Sequence, residues 1–129
     1  MSNPPSGKPG HRGIVRLIKA FQNSRKGFAA GYKHEEAIRL EVWTLVLGTL
    51  FLLAVDLPIG ERLAMWFSLM FLLTVEVLNS AIEATVDRIG FEHHELSGRA
   101  KDLGSLAVLL AMVVVTVVWT VFLVQHYLV

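Results

Sequence analysis

Apolar and polar positions divide the chain into four helical stretches. From Gly13 onward Ile14, Leu17, Ile18 and Phe21 recur at i, i+3, i+4 and i+7, while Arg16, Lys19, Asn23 and Lys26 fall on the opposite face. That spacing predicts an amphipathic surface helix over about 13–32, lying in the headgroup region of a membrane. Three apolar runs follow. Leu103 to Val124 holds 22 residues without a charge, enough at about 1.5 Å per residue to cross a hydrocarbon core of about 30 Å. Val42 to Val55 and Leu63 to Val75 are uncharged runs of 14 and 13 residues. Each crosses only by borrowing neighbours such as Ala37, Ile38 and Leu40, or Val77, Leu78, Ala81 and Ile82. The expected fold is an all-α membrane protein, a surface helix plus three spans over about 35–55, 61–87 and 98–125.

The breakers agree with this division. Residues 1–12 carry three of the four prolines and read as a disordered tail, leaving 13–129 as a single membrane domain. Gly27 and Gly31 predict a bend before Tyr32, Lys33 and His34, and Asp56 to Gly60 predicts a tight turn. Ser97 is the expected N-cap of the last helix, and Trp119 and Tyr127 suit its far interface.

Composition adds one constraint and charge placement another. A mean hydropathy of +0.53 is high for a water-soluble chain of 129 residues. The net charge of +1 says little, but eight Lys and Arg precede Leu40, three lie between Arg88 and Lys101, and only Arg62 sits by the first turn. By the positive-inside tendency the N-terminus and the second loop are cytoplasmic. No apolar region followed by a small-residue cleavage site precedes the first span, which argues against a secretory signal. Without cysteine there is no disulfide frame and no thiolate metal site.

The chemistry concentrates where the second span stops being apolar. In VEVLNSAIEATVD, Val75 to Asp87, a helix with Glu76 at zero places Asn79 at about −60°, Glu83 at about −20°, Asp87 at about +20° and Ser80 at about +40°. Three carboxylates, an amide and a hydroxyl thus share one narrow stripe. Thirteen apolar residues bring this helix roughly 20 Å into the membrane before Glu76, so Glu76 lies within or at the edge of the hydrocarbon slab. Glu35 and Glu41, at the start of the preceding span, return to the same depth, while Glu36 reads as helix-dipole complementation. Lys101 and Ser105 share a face on the last helix. His93-His94 lacks a ligand partner at i+3 or i+4, which argues against zinc.

Three readings fit the stripe. Its residues could be interhelical hydrogen-bonding glue, for which one or two small polar groups usually suffice. They could form a proton or cation path, as in a small proton-coupled transporter, although nothing comparable continues through the last helix. Or the acids could bind a divalent cation while one of them serves as general base towards a lipid alcohol, with nearby Lys and Arg completing a phosphoryl-transfer site. The phosphate-cradling glycine loops of soluble kinases do not occur.

Glu76-Val-Leu-Asn79-Ser-Ala-Ile-Glu83-Ala-Thr-Val-Asp87, followed by Glu95-Leu-Ser-Gly-Arg99-Ala-Lys101-Asp102 and Ser105, resembles the signature of the bacterial integral-membrane diacylglycerol kinases. The resemblance covers roughly Arg16 to the C-terminus and favours the third reading. It implies a homotrimer in the bacterial inner membrane that moves the γ-phosphate of MgATP to the hydroxyl of diacylglycerol, at sites shared between subunits. Glu76 would accept the proton and Asn79 support the centre, with Mg²⁺ held by Glu35 and Glu83. Arg16, Asn23, Glu35, Glu83, Glu92, His93, His94, Lys101 and Asp102 would contact the nucleotide. Arg16, Ala30, Ala37, Glu41, Glu76, Ser105 and Trp119 would contact the lipid. The implied partners are ATP, diacylglycerol, membrane lipids and further copies of the chain, with no nucleic acid. Similar proteins phosphorylate undecaprenol, and only the closer likeness over Ile82 to Lys101 favours diacylglycerol.

Overall fold

The computed structural model describes residues 13–90, 92 and 94–128, so the expected tail and His93 lie outside the described residues. Four helices follow one another: α1 (Ile14–His34), α2 (Glu36–Ala54), α3 (Ile59–Ile89) and α4 (Glu95–Leu128). The chain forms two compact units, the first ending at Ala30 and the second starting at Gly31.

In the first unit α1 starts from Gly13, whose φ of +63° is left-handed and suits glycine, and whose carbonyl accepts the Arg16 and Leu17 amides at 3.1 and 3.4 Å. No residue of α1 is buried, and Ile14, Leu17, Ile18, Phe21 and Phe28 are exposed.

The helical backbone of α1 runs through Gly27 and Gly31, and the break falls at Glu35, which is extended at φ −108°, ψ 119°. A glycine costs a helix only about 1 kcal/mol relative to alanine, too little to end one that has other support. Gly31 also has a packing reason, since a Cβ there would come within 2.9 Å of Ile38 Cδ1, and Ile38 is buried. The Arg39 guanidinium donates to the carbonyls of Tyr32 and Lys33 at 3.2 Å each. A cation thus closes the orphan carbonyls at the end of α1, where the helix dipole favours it.

Between α2 and α3 the chain turns at Asp56 to Pro58, with Arg62 Nε donating to the Leu57 carbonyl at 2.7 Å. At α4 the helix begins at Glu95, two residues before Ser97. The local reason is His94, whose Nδ1 accepts the Leu96 amide at 3.2 Å and whose carbonyl accepts that of Gly98 at 3.0 Å. His94 therefore takes the capping place expected of Ser97.

The core is built on α3, which packs on both α2 and α4. Its buried positions, Met65, Ser68, Leu69, Leu72, Glu76 and Asn79, recur at helical spacing. Met65 is fully buried with Leu52 and Leu57, against Trp66, Val118, Trp119 and Phe122. Indole groups tie the helices together: Trp66 Nε1 donates to Thr49 Oγ1 at 3.1 Å, and Trp119 Nε1 to the Met65 carbonyl at 3.2 Å. Hydroxyls of Thr44, Thr49, Thr74 and Thr116 each donate to the carbonyl four residues back, at 2.7 to 2.9 Å. No donor among these is left bare in an apolar medium.

Large apolar side chains such as Leu40, Leu47, Leu53, Phe67, Leu78 and Leu109 point outwards, while Glu76 and Asn79 point in. This inversion suits a lipid solvent. Helices α2, α3 and α4, of 19, 31 and 34 residues, are each long and apolar enough to cross a membrane, and the protein is all-α and multi-pass. At about 1.5 Å per residue α3 and α4 exceed a core of about 30 Å, so their polar ends reach past it.

Candidate active site

The polar stripe of α3 grades from buried to exposed along the helix. Glu76 is 7% and Asn79 8% exposed, Ser80 and Glu83 are half-buried, and Asp87 is exposed. One regular helix accomplishes this because the stripe continues the register of Met65, Leu69 and Leu72, so that its deeper members face the other helices.

Asn79 links the levels. Its Nδ2 donates to Glu83 Oε1 at 3.0 Å, one turn on. Its Oδ1 is buried and accepts no hydrogen bond within the chain. Gly104 of α4 lies directly against it: a Cβ at position 104 would overlap Asn79 Oδ1 and come within 3.2 Å of its Cγ. The absence of a side chain at 104 is what allows Asn79 to stand between α3 and α4 with its amide turned to Glu83.

Two acids of the neighbouring elements join the stripe. Glu76 lies within electrostatic range of Glu83 and Glu35, and Glu41 within range of Glu76. Glu41 Oε2 is buried without a hydrogen-bond partner in the chain. Glu35, Glu41 and Glu83 thus each lie within electrostatic range of Glu76, and two buried polar oxygens are unsatisfied, an arrangement that a cation or a polar substrate would relieve.

On the α4 side a cation pairs with the end of the stripe. Lys101 Nζ lies 2.5 Å from Asp87 Oδ1, with both side chains partly open to solvent. Asp102, Ser105, Glu92 and His94 are exposed. Ala37 is exposed on α2, and Arg16, Asn23 and Ala30 belong to the first unit. Trp119 lies elsewhere along the second unit. Its bond to Met65 ties it eleven residues before Glu76 on α3, roughly 16 Å along the axis. There it lines a cavity of ≈ 450 Å³ with Thr44, Leu47, Gly48, Phe51, Leu69 and Val115.

Two elements of this geometry have little or no advance signal. Gly104 is one glycine in an apolar run, notable only for standing three residues after Lys101 on the same face. Asp87 belongs to the stripe, but its pairing with Lys101 depends on how α4 returns beside α3.

The donors fit magnesium in kind, being carboxylate and amide oxygens. Among the described residues no group of three or more His, Cys, Asp or Glu is arranged to hold a metal.

The sequence places this site among known proteins. The profile of the prokaryotic diacylglycerol kinase family matches residues 22–123. The diacylglycerol kinase of Escherichia coli (strain K12) is 45% identical over 115 residues, covering 89% of this chain and 94% of that protein. That of Pseudomonas aeruginosa is 42% identical over 119 residues, covering 92% and 97%. The Helicobacter pylori (strain 26695) diacylglycerol kinase is 33% identical over 124 residues, covering 93% and 94%. With the matched region running from α1 through α4 and including every acid of the site, the chain belongs to the prokaryotic diacylglycerol kinase family.

Proposed function

We propose that the protein is an ATP-dependent lipid kinase of a bacterial inner membrane that converts diacylglycerol to phosphatidate. The observation that carries this reading is the buried Glu76 beside the Asn79–Glu83 hydrogen bond, a base position and a metal-holding position two turns apart on one helix. The lipid hydroxyl oxygen bonds to the γ-phosphorus of ATP, the bond to the β,γ-bridging oxygen breaks, and ADP leaves with that electron pair. Glu76 takes the hydroxyl proton. Its depth suits this role, because an alcohol held at the membrane edge reaches it from the lipid side.

Glu83, oriented by Asn79, and Glu35, at the break between α1 and α2, would hold Mg²⁺ together with the nucleotide phosphates, and it would supply positive charge to offset that of the phosphates. Arg16 and Lys101 add positive charge at the phosphates, and Asn23, Glu92, His93, His94 and Asp102 line the nucleotide. Glu41, Ser105, Ala30, Ala37, Arg16 and Trp119 contact the lipid. The unpartnered oxygens of Glu41 and Asn79 support a site completed by substrates and by neighbouring copies in a homotrimer. The excess of Lys and Arg before Leu40 and between Arg88 and Lys101 supports a cytoplasmic N-terminus and a cytoplasmic α3–α4 connection, the side on which ATP is found.

Purified protein in lipid micelles with Mg²⁺ and ATP, offered diacylglycerol and then undecaprenol, tests the reading. Phosphate transfer to diacylglycerol is expected. Preference for undecaprenol would change the substrate, and transfer to neither would remove the kinase assignment.

A further inference from the structure

The nucleotide-facing part of the stripe ends on Asp87, which the phosphoryl-transfer reading does not use. We propose that Asp87 is a positioning residue that holds Lys101 in place to receive the nucleotide phosphates, without touching the nucleotide itself. The proposal rests on the reading of Lys101 as a nucleotide contact.

Three observations carry it. Lys101 Nζ and Asp87 Oδ1 are 2.5 Å apart and join α4 to α3. Asp87 stands one turn beyond Glu83, and Lys101 one turn before Gly104, the residue packed on Asn79. The pair therefore forms the next rung, towards the polar ends of the helices, of the contact that sets Asn79 and Glu83. Finally, the side chains are 38% and 47% exposed, so a water-borne ligand reaches them while the ion pair is intact.

The chemistry follows from the ammonium group. It carries three donors, and Asp87 occupies one, leaving two for phosphate oxygens. A free lysine pays for ordering a flexible four-carbon stem each time it binds, and a lysine already pinned pays less. The carboxylate also offsets part of the lysine charge, but that field is weakened by the solvent at a half-exposed pair. Ordering wins, so removal of Asp87 weakens nucleotide binding.

The test uses full-length protein in lipid micelles and two readouts, steady-state kinetics and binding of a non-hydrolysable ATP analogue with Mg²⁺. Asp87→Ala is expected to raise both the KM for MgATP and the analogue Kd by about threefold to tenfold, a fraction of the rotamer freedom of one lysine. The KM for diacylglycerol and kcat should move by less than about twofold, as expected for a ground-state contact. Asp87→Asn, whose amide oxygen can still accept from the ammonium, should recover most of the loss. In a Lys101→Ala background Asp87→Ala should add nothing to the analogue Kd. If Lys101→Ala weakens analogue binding while Asp87→Ala does not, or if the two effects add, Asp87 is not positioning Lys101. If Lys101→Ala leaves analogue binding unchanged, the nucleotide role of Lys101 falls and this proposal with it. Should Asp87→Ala not fold, Asp87→Ser, too short to reach the ammonium, carries the same expectations.

Discussion

Gly104 of α4 lies so close to Asn79 of α3 that even one methyl group at position 104 would occupy the space of the Asn79 side-chain oxygen. Asn79 cannot yield freely, since it is 8% exposed and its amide is committed to Glu83 at 3.0 Å. Gly104→Ala should therefore rotate Asn79 away or push the helices apart. Overpacking of this kind costs about 1–3 kcal/mol of stability, and if Glu83 holds the metal as proposed, its displacement costs more in rate than in fold. We expect turnover to fall at least about tenfold and half-maximal activation to need more Mg²⁺. A variant with unchanged Mg²⁺ dependence would show that the close contact serves packing alone.

In the proposed reaction Glu76 and Glu83 take separate roles along α3. Glu76→Gln preserves shape and burial but removes the proposed proton acceptor, so MgATP should still bind while turnover drops by about 10²–10⁴. Glu83→Gln keeps an oxygen that can accept from Asn79 but loses a charge, so the Mg²⁺ and MgATP requirements should rise together. Titrating Mg²⁺ and ATP against lipid phosphorylation checks both. Near-normal turnover by Glu76→Gln would take the base role from it.

The apolar runs and the acid stripe already point to an α-helical membrane chain with a site on α3, because a period of 3.6 residues and a length of about 20 residues are local properties. The stripe's membership was legible in the same way, while the facing of Glu76 and Asn79 towards the other helices, in register with Leu69 and Leu72, is seen only in the structure. What the pattern conceals is how neighbouring helices meet. Gly31 reads as a breaker, yet it lies inside α1 because Ile38 fills the space beside it. Ser97 reads as a cap, yet His94 supplies it three residues earlier. Gly104 carries no local chemistry, and its importance comes from a residue 25 positions away in the chain.

Trp66 offers a test of stability apart from chemistry. Its indole donates to Thr49 Oγ1, which in turn donates to the Leu45 carbonyl at 2.7 Å, linking α3 to α2. Trp66→Phe removes one interhelical hydrogen bond and part of a ring, about ten residues or roughly 15 Å along α3 from Glu76. Such bonds in membranes average about 0.6 kcal/mol, and the lost ring area adds to that. The unfolding midpoint in mixed detergent should drop measurably, while the KM for MgATP stays within about twofold of the parent. A large shift in KM with no change in the midpoint would mean that this link communicates with the site.

Glu41 poses the sharpest conflict between folding and function. Its Oε2 is buried and finds no hydrogen-bond partner in the chain, an arrangement that costs about 1–3 kcal/mol per group. It also adds to the negative charge around Glu76. Neither effect helps α2 pack against α3. Glu41→Leu should therefore raise resistance to unfolding by about 1 kcal/mol or more, because an apolar side chain of similar bulk needs no partner. Turnover should fall in the same variant, since in the proposed site the carboxylate is then missing from the place where the lipid hydroxyl meets Glu76. Glu41→Gln, which retains hydrogen-bonding capacity without charge, should fall between the two in turnover. Unfolding midpoints and lipid-kinase rates measured on the same preparations decide the matter, and a Glu41→Leu protein that is both less stable and fully active would reverse the assignment.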